Sequence, residues 1–113
     1  MSHNNIIAVD FDGTITTATP YPITGEIRPE AVRVLKRLQR ELNYKLLLWT
    51  CREGKDLQQA ITLLAEQGLF FDYINTIDWQ TSRKPLVKCV IDDKSLFCDI
   101  NWNKIEDYFF SKE

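Results

Sequence analysis

The sequence predicts an α/β domain built on a mostly parallel sheet, and three observations carry that expectation. Short apolar runs, among them Ile6-Ile7-Ala8-Val9, Leu46-Leu47-Leu48 and Val90-Ile91, alternate with stretches of helical periodicity. The runs are nearly continuous rather than alternating, as strands covered on both faces require. Three of the predicted strands end in side chains that carry oxygen, at Asp10, Thr50 and Asp92-Asp93. Open α/β sheets collect their ligands at such carboxyl ends.

Taken in order, residues 6–10 read as a buried first strand. Residues 14–27 are polar and β-branched and are punctuated by Pro20, Pro22 and Gly25, which predicts a loop or short hairpin over the sheet edge. Ala31, Val34, Leu35, Leu38 and Leu42 recur at helical spacing, and Pro29 suits a first helical turn, where its missing N–H leaves nothing unpaired. Residues 45–50 form the second strand. A helix over 55–67 follows, with Leu57, Ile61 and Leu64 on one face and Gly68 as its cap. Residues 71–77 and 87–91 are the third and fourth strands, and a fifth is doubtful. Trp102, Ile105 and Phe109 give a terminal helix its apolar stripe.

A chain of 113 residues is expected to form one domain, spanning 1–113, with no room for a second. Hydrophobic residues make up 44% and charged residues 27%, the balance of an ordinary globular protein. A net charge of −2 argues against a general nucleic-acid or membrane-surface binder, although a local basic pocket stays possible. No apolar stretch approaches the roughly 20 residues that span a bilayer. Cys51, Cys89 and Cys98 lack metal-type spacing and suit a reducing compartment, so a cytoplasmic location is expected. The only histidine, His3, lies beside the terminus, which removes a Ser-His-Asp triad from consideration. The tryptophans read as core or edge cover, with only Trp79 set in a polar loop.

The most informative string is Asp10-Phe11-Asp12-Gly13-Thr14. Strand alternation sends residues i and i+2 the same way, so Asp10 and Asp12 can face one ligand while Phe11 turns into the core, and Gly13 lets the chain leave sharply. One carboxylate could attack phosphorus, the other could carry a proton to the leaving oxygen, and Mg²⁺ would offset the accumulated negative charge. The plainer reading is turn chemistry, since short carboxylates cap nearby backbone N–H groups. Five specified residues arise by chance about once in a few million windows, and this string ends the first strand, where a ligand site belongs.

The string resembles the first motif of the haloacid dehalogenase-like (HAD) superfamily, most of whose members are Mg²⁺-dependent phosphatases acting through an aspartyl-phosphate. Leu46-Leu47-Leu48-Trp49-Thr50 is similar to its second motif, Lys84 or Lys88 to the third, and Val90-Ile91-Asp92-Asp93 to the acidic fourth. The four occur in family order over residues 6–93. The run from Trp49 to Gly54 is similar to that of small capless bacterial and phage-type members. The resemblance implies a HAD-like Rossmannoid three-layer sandwich with sheet order 3-2-1-4 and no cap domain. That order would bring Asp10, Asp12, Thr50, Asp92 and Asp93 to one crevice. Clustered carboxylates without a cation would repel strongly, and oxygen-only ligands suit Mg²⁺.

The resemblance also implies roles. Asp10 is the nucleophile and a metal ligand, and Asp12 is the general acid and base, with its backbone carbonyl on the metal. Thr50 binds a phosphoryl oxygen, Gly13 lies in the substrate loop, and Arg52 is a candidate reader of substrate, though a surface arginine is the common alternative. Asp93 aligns with the metal-binding aspartate of the family's Gly-Asp variant, leaving Asp92 as a second or outer ligand; either could instead cap the segment that follows. Lys84, in a loop before the fourth strand, is better placed than Lys88 to neutralise the phosphoaspartate. A receiver-like domain is the main competing reading, but a receiver carries its paired acids first and its phosphoacceptor mid-chain. A catalytically degenerate domain that only binds phosphate or metal is the other. The substrate is expected to be phosphorylated and of unknown identity. An open, capless site suits a phosphoprotein or a phosphorylated nucleic-acid end, or closure by a second copy in a homo-oligomer.

Overall fold

Four parallel strands form the sheet, in the order β3-β2-β1-β4, within a computed structural model that describes residues 5–20, 23–75, 89–92 and 100–110. In chain order the elements are β1 (Ile6–Val9), α1 (Pro29–Glu41), β2 (Lys45–Leu48), α2 (Gly54–Glu66), β3 (Tyr73–Ile74), β4 (Cys89–Ile91) and α3 (Trp102–Phe110). The expected order and the all-parallel pairing are therefore both present. Among the described residues there is no fifth strand.

The register explains why the apolar runs are continuous. Val9 pairs with Leu48 on one side and with Ile91 on the other, so β1 is central and its four residues are all buried. Ile7, Val9, Leu46 and Leu48 join one core cluster with residues from α1, α2 and α3, including Leu35, Leu38, Leu64 and Trp102. Ile6, Ala8 and Leu47, on alternate positions, form a second cluster against half-buried Trp49 and Tyr73. The described helices all contribute to the first cluster.

Helix α1 starts at the expected proline and buries Ala31, Val32, Val34, Leu35 and Leu38. Helix α2 ends where Gly68, at φ +76°, turns the chain and donates its N–H to the carbonyl of Ala65. Strand β3 is shorter than expected. The chain joins the sheet from Asp72 onward, whose N–H donates to the Leu46 carbonyl and whose Oδ2 accepts from the Leu46 N–H. Asn75, the residue after β3, stands at φ +57°.

The segment after β1 is a short arm, as the loop-or-hairpin expectation had it. An antiparallel bridge joins Thr16 to Ile27, and Thr17 and Glu26 are tied by N–H bonds to the Glu26 carbonyl and to Thr17 Oγ1. Gly25 is required here because a β-carbon would stand 2.1 Å from the Thr17 carbonyl oxygen. No helix among the described residues is long and apolar enough to cross a membrane.

Candidate functional site

The carboxyl ends of the strands finish level. The Asp10 N–H donates to the Ile91 carbonyl, the Trp49 N–H to the Val9 carbonyl and the Asn75 N–H to the Leu48 carbonyl. Asp10 thus lies between Asp92, the next residue after β4, and the Trp49-Thr50 pair that follows β2. Neighbouring strands lie about 4.8 Å apart, so Asp10 and Asp92 leave the sheet side by side. Convergence of Asp10, Thr50 and Asp92 on one sheet edge follows from this register.

Beyond Asp10 the chain curls tightly. Phe11 is fully buried, and its carbonyl accepts N–H bonds from Thr14, Ile15 and Thr16. Gly13 sits at φ +82°, where a side chain would be strained, and its N–H donates to Thr16 Oγ1 at 3.2 Å. The turn returns the buried Thr14 hydroxyl to Asp10, donating to Oδ2 at 3.1 Å. It also presents the Thr14 carbonyl to the Trp102 indole N–H at 2.9 Å, which ties α3 to the underside of the site.

Arg52 differs from a substrate-reading arginine. Its side chain has no solvent exposure. Its Nε donates to Asp12 Oδ2 at 2.8 Å and its Nη2 to Asp12 Oδ1 at 2.7 Å, a two-pronged grip on the carboxylate. The same guanidinium reaches the Thr24 hydroxyl in the arm at 3.1 Å and the Asp56 carbonyl in α2 at 3.3 Å, and it lies 5.2 Å from the centroid of the Phe11 ring. The backbone N–H of Arg52 donates to Thr50 Oγ1 at 3.1 Å and curls the chain between β2 and α2. Arg52, expected as a candidate reader of substrate, has its side chain enclosed and directed at Asp12.

Thr50 is half-buried, and its N–H is held by the Asn75 side chain at 2.8 Å. Helix α2 begins just beyond, with Gly54 at φ +55° and no neighbouring atom within 4 Å of a β-carbon built there. Its first N–H groups supply a partial positive charge at the sheet edge, of the kind that suits a phosphoryl group. Cys51 is exposed, and its thiol is free.

Two oxygen donors suited to a hard divalent cation, Asp10 and Asp92, are neighbours at this edge. Asp12 could join them through its backbone carbonyl, because both of its carboxylate oxygens are engaged by Arg52. Among the described residues no three His, Cys, Asp or Glu side chains are grouped closely enough to hold a metal ion. Asp93, Lys84, Lys88 and Trp79 lie outside the described residues.

A solved structure of a conserved protein from Bacteroides thetaiotaomicron is 38% identical to this chain, over 97% of this chain and 93% of its own, with a TM-score of 0.85. The chain belongs to that protein's family. No family model and no curated protein matches. Membership extends over nearly the whole length of both chains, so the strand-end arrangement lies within the shared region.

Thr24, Asp56 and Asn75 were not foreseen as parts of the site. Thr24 and Asp56 act through contacts to Arg52 that no local pattern announces. Asn75 carried a signal, since asparagine is among the few residues that tolerate positive φ, and here it stood inside a predicted strand.

Proposed function

We propose that the chain is a Mg²⁺-dependent phosphatase that hydrolyses a phosphoric monoester through an aspartyl-phosphate on Asp10. The single observation that carries this reading is the sheet-edge constellation: Asp10 beside Asp92, oriented by Thr14, with Asp12 gripped by a buried arginine.

In the first step an Asp10 oxygen attacks phosphorus and the ester P–O bond breaks, its electron pair leaving with the alcohol or phenol oxygen. Asp12, when protonated, gives that oxygen its proton. Water then attacks the acyl phosphate, Asp12 accepts a proton from it, and the P–O bond to Asp10 breaks to release inorganic phosphate. Thr14 holds Asp10 in position throughout, while Thr50 and the N–H groups opening α2 face the phosphoryl oxygens. Asp10, Asp92, the Asp12 carbonyl and Asp93 would hold Mg²⁺, which supplies charge neutralisation for the approach of one anion to another. Lys84 is assigned to the phosphoaspartate on the resemblance alone.

A second reading is a silent module that binds phosphate or metal without turnover. The observation on its side is that both Asp12 oxygens are occupied. Turnover of an aryl phosphate with Mg²⁺ and with chelator separates the two. The phosphatase reading expects release that chelator abolishes and that Asp10→Asn lowers by several powers of ten, on the scale of losing a nucleophile. Metal binding without turnover would favour the module. A screen across nucleotides, sugar phosphates, phosphopeptides and 3′-phosphorylated oligonucleotides identifies the substrate.

A further inference from the structure

Arg52 is the largest fully buried charged side chain among the described residues, and the reaction outlined above uses it nowhere. A buried guanidinium is costly to desolvate unless its donors are met. Here they are met by a constellation drawn from three parts of the fold: Asp12 beyond β1, Thr24 in the arm and the Asp56 carbonyl in α2. Both prongs to Asp12 are short, at 2.7 and 2.8 Å, whereas the other contacts are longer. The pair is also asymmetric: Arg52 is wholly enclosed, while the Asp12 side chain keeps 29% of its surface open. An enclosed cation gripping a carboxylate that still faces outward has the form of a support for that carboxylate.

Resting on the phosphatase reading, we propose that Arg52 is the positioning residue of Asp12, fixing the carboxylate for proton transfer, and that Thr24 fixes Arg52 in turn from the arm. Arg52 makes no contact with substrate. Its fork spans both carboxylate oxygens and so sets the rotation of the group as well as its place, which a single ammonium cannot do. Thr24 Oγ1 also lies 3.3 Å from Gln59 Oε1, so the arm, α2 and the Arg52–Asp12 pair form one connected unit.

The test compares two esters that differ in how much they need a proton. Phenyl phosphate leaves as a basic phenoxide and depends on the acid; 4-nitrophenyl phosphate leaves readily without one. With Mg²⁺ present, Arg52→Lys is expected to lower kcat about 100-fold on phenyl phosphate and less than about tenfold on the nitrophenyl ester, with KM within about threefold on both. Thr24→Val retains the Arg52–Asp12 pair and removes only one support of the guanidinium. It should widen the gap between the two esters in the same direction by a smaller factor, and it serves if Arg52→Lys does not fold. Equal losses on both esters with a raised KM would overturn the proposal, because Arg52 would then be acting on the substrate phosphate. Wild-type kinetics in both variants would overturn it as well. In either case the active wild type leaves the phosphatase reading standing, whereas a wild type inert toward both esters would remove the reading and the proposal together.

Discussion

Thr14 is buried, and its hydroxyl donates to Asp10 Oδ2 at 3.1 Å across four residues of a tight turn. A hydrogen bond to a charged group is worth about 1.5–3 kcal/mol, and 1.4 kcal/mol is about tenfold in rate. Thr14→Val keeps the shape and loses the donor, so kcat on an aryl phosphate should fall about ten- to a hundredfold, and Thr14→Ser should recover most of it. Steady-state kinetics beside a denaturation midpoint separates this from simple unfolding. The sharp turn at Gly13 was legible because it is local, whereas the Thr14–Asp10 bond inside it was not foreseen. Arg52 was visible as a residue but not in its direction. Its partner Asp12 is 40 positions away, and nothing in a threonine-x-arginine string says that the guanidinium turns inward.

Among the elements, α3 has the most direct mechanical link to the site. Trp102 is 2% exposed, and its indole donates to the Thr14 carbonyl, so one side chain both fills the core and supports the turn that carries Thr14. Trp102→Phe should cost about 1–3 kcal/mol, since the buried Thr14 carbonyl loses its donor, and Trp102→Ala about 3–5 kcal/mol through the cavity as well. Chemical denaturation of both variants checks the order; a Trp102→Phe protein as stable as the wild type would mean that the indole bond carries no energy. The apolar stripe of α3 was readable from spacing, and Trp102 and Phe109 are buried with Ile105 half-buried, as the stripe requires. The length of β3 was not readable. Phe71 and Asp72 lie in the predicted strand, yet β3 begins only at Tyr73, and Asn75 after it stands at φ +57°. Apolar content alone does not fix where an edge strand begins to pair.

For the molecule as a whole, the strand order is the one the resemblance implied, and the register brings Asp10 and Asp92, distant in sequence, together at one edge. A separate network joins α1 to α3. Glu106 of α3 accepts from Arg33 at 2.6 Å and from Arg37 at 2.7 Å, Arg37 also grips Glu41, and its guanidinium lies 3.8 Å from the centroid of the Phe110 ring. The hydrogen bonds from Arg33 and then Arg37 hold the Glu106 carboxyl below the usual carboxylate range, and the bond from Arg37 does the same for Glu41. A carboxylate lowered in the folded state stabilises the fold fully above its unfolded value, about 4.3, and loses that contribution as pH falls through the folded value. The Tm advantage of wild type over Glu106→Gln should therefore be full at neutral pH and shrink from about pH 5 downward. It should also shrink in about 1 M salt, because the pairs lie near the surface. Thermal melts across pH and salt measure it, and a gap that grows on acidification would reverse the sign.

The central claim is that Asp10 becomes phosphorylated during turnover, and acid-quenched mixing with an aryl phosphate and Mg²⁺ tests it most directly. Acyl phosphates survive acid long enough for peptide mapping, so the bound phosphoryl group can be assigned to a residue. The account expects a transient phosphoryl group on the peptide containing Asp10 in the wild type, its loss in Asp10→Asn, and its loss with chelator. Turnover with the phosphoryl group on any other residue, or undiminished turnover by the Asp10→Asn protein, would contradict it.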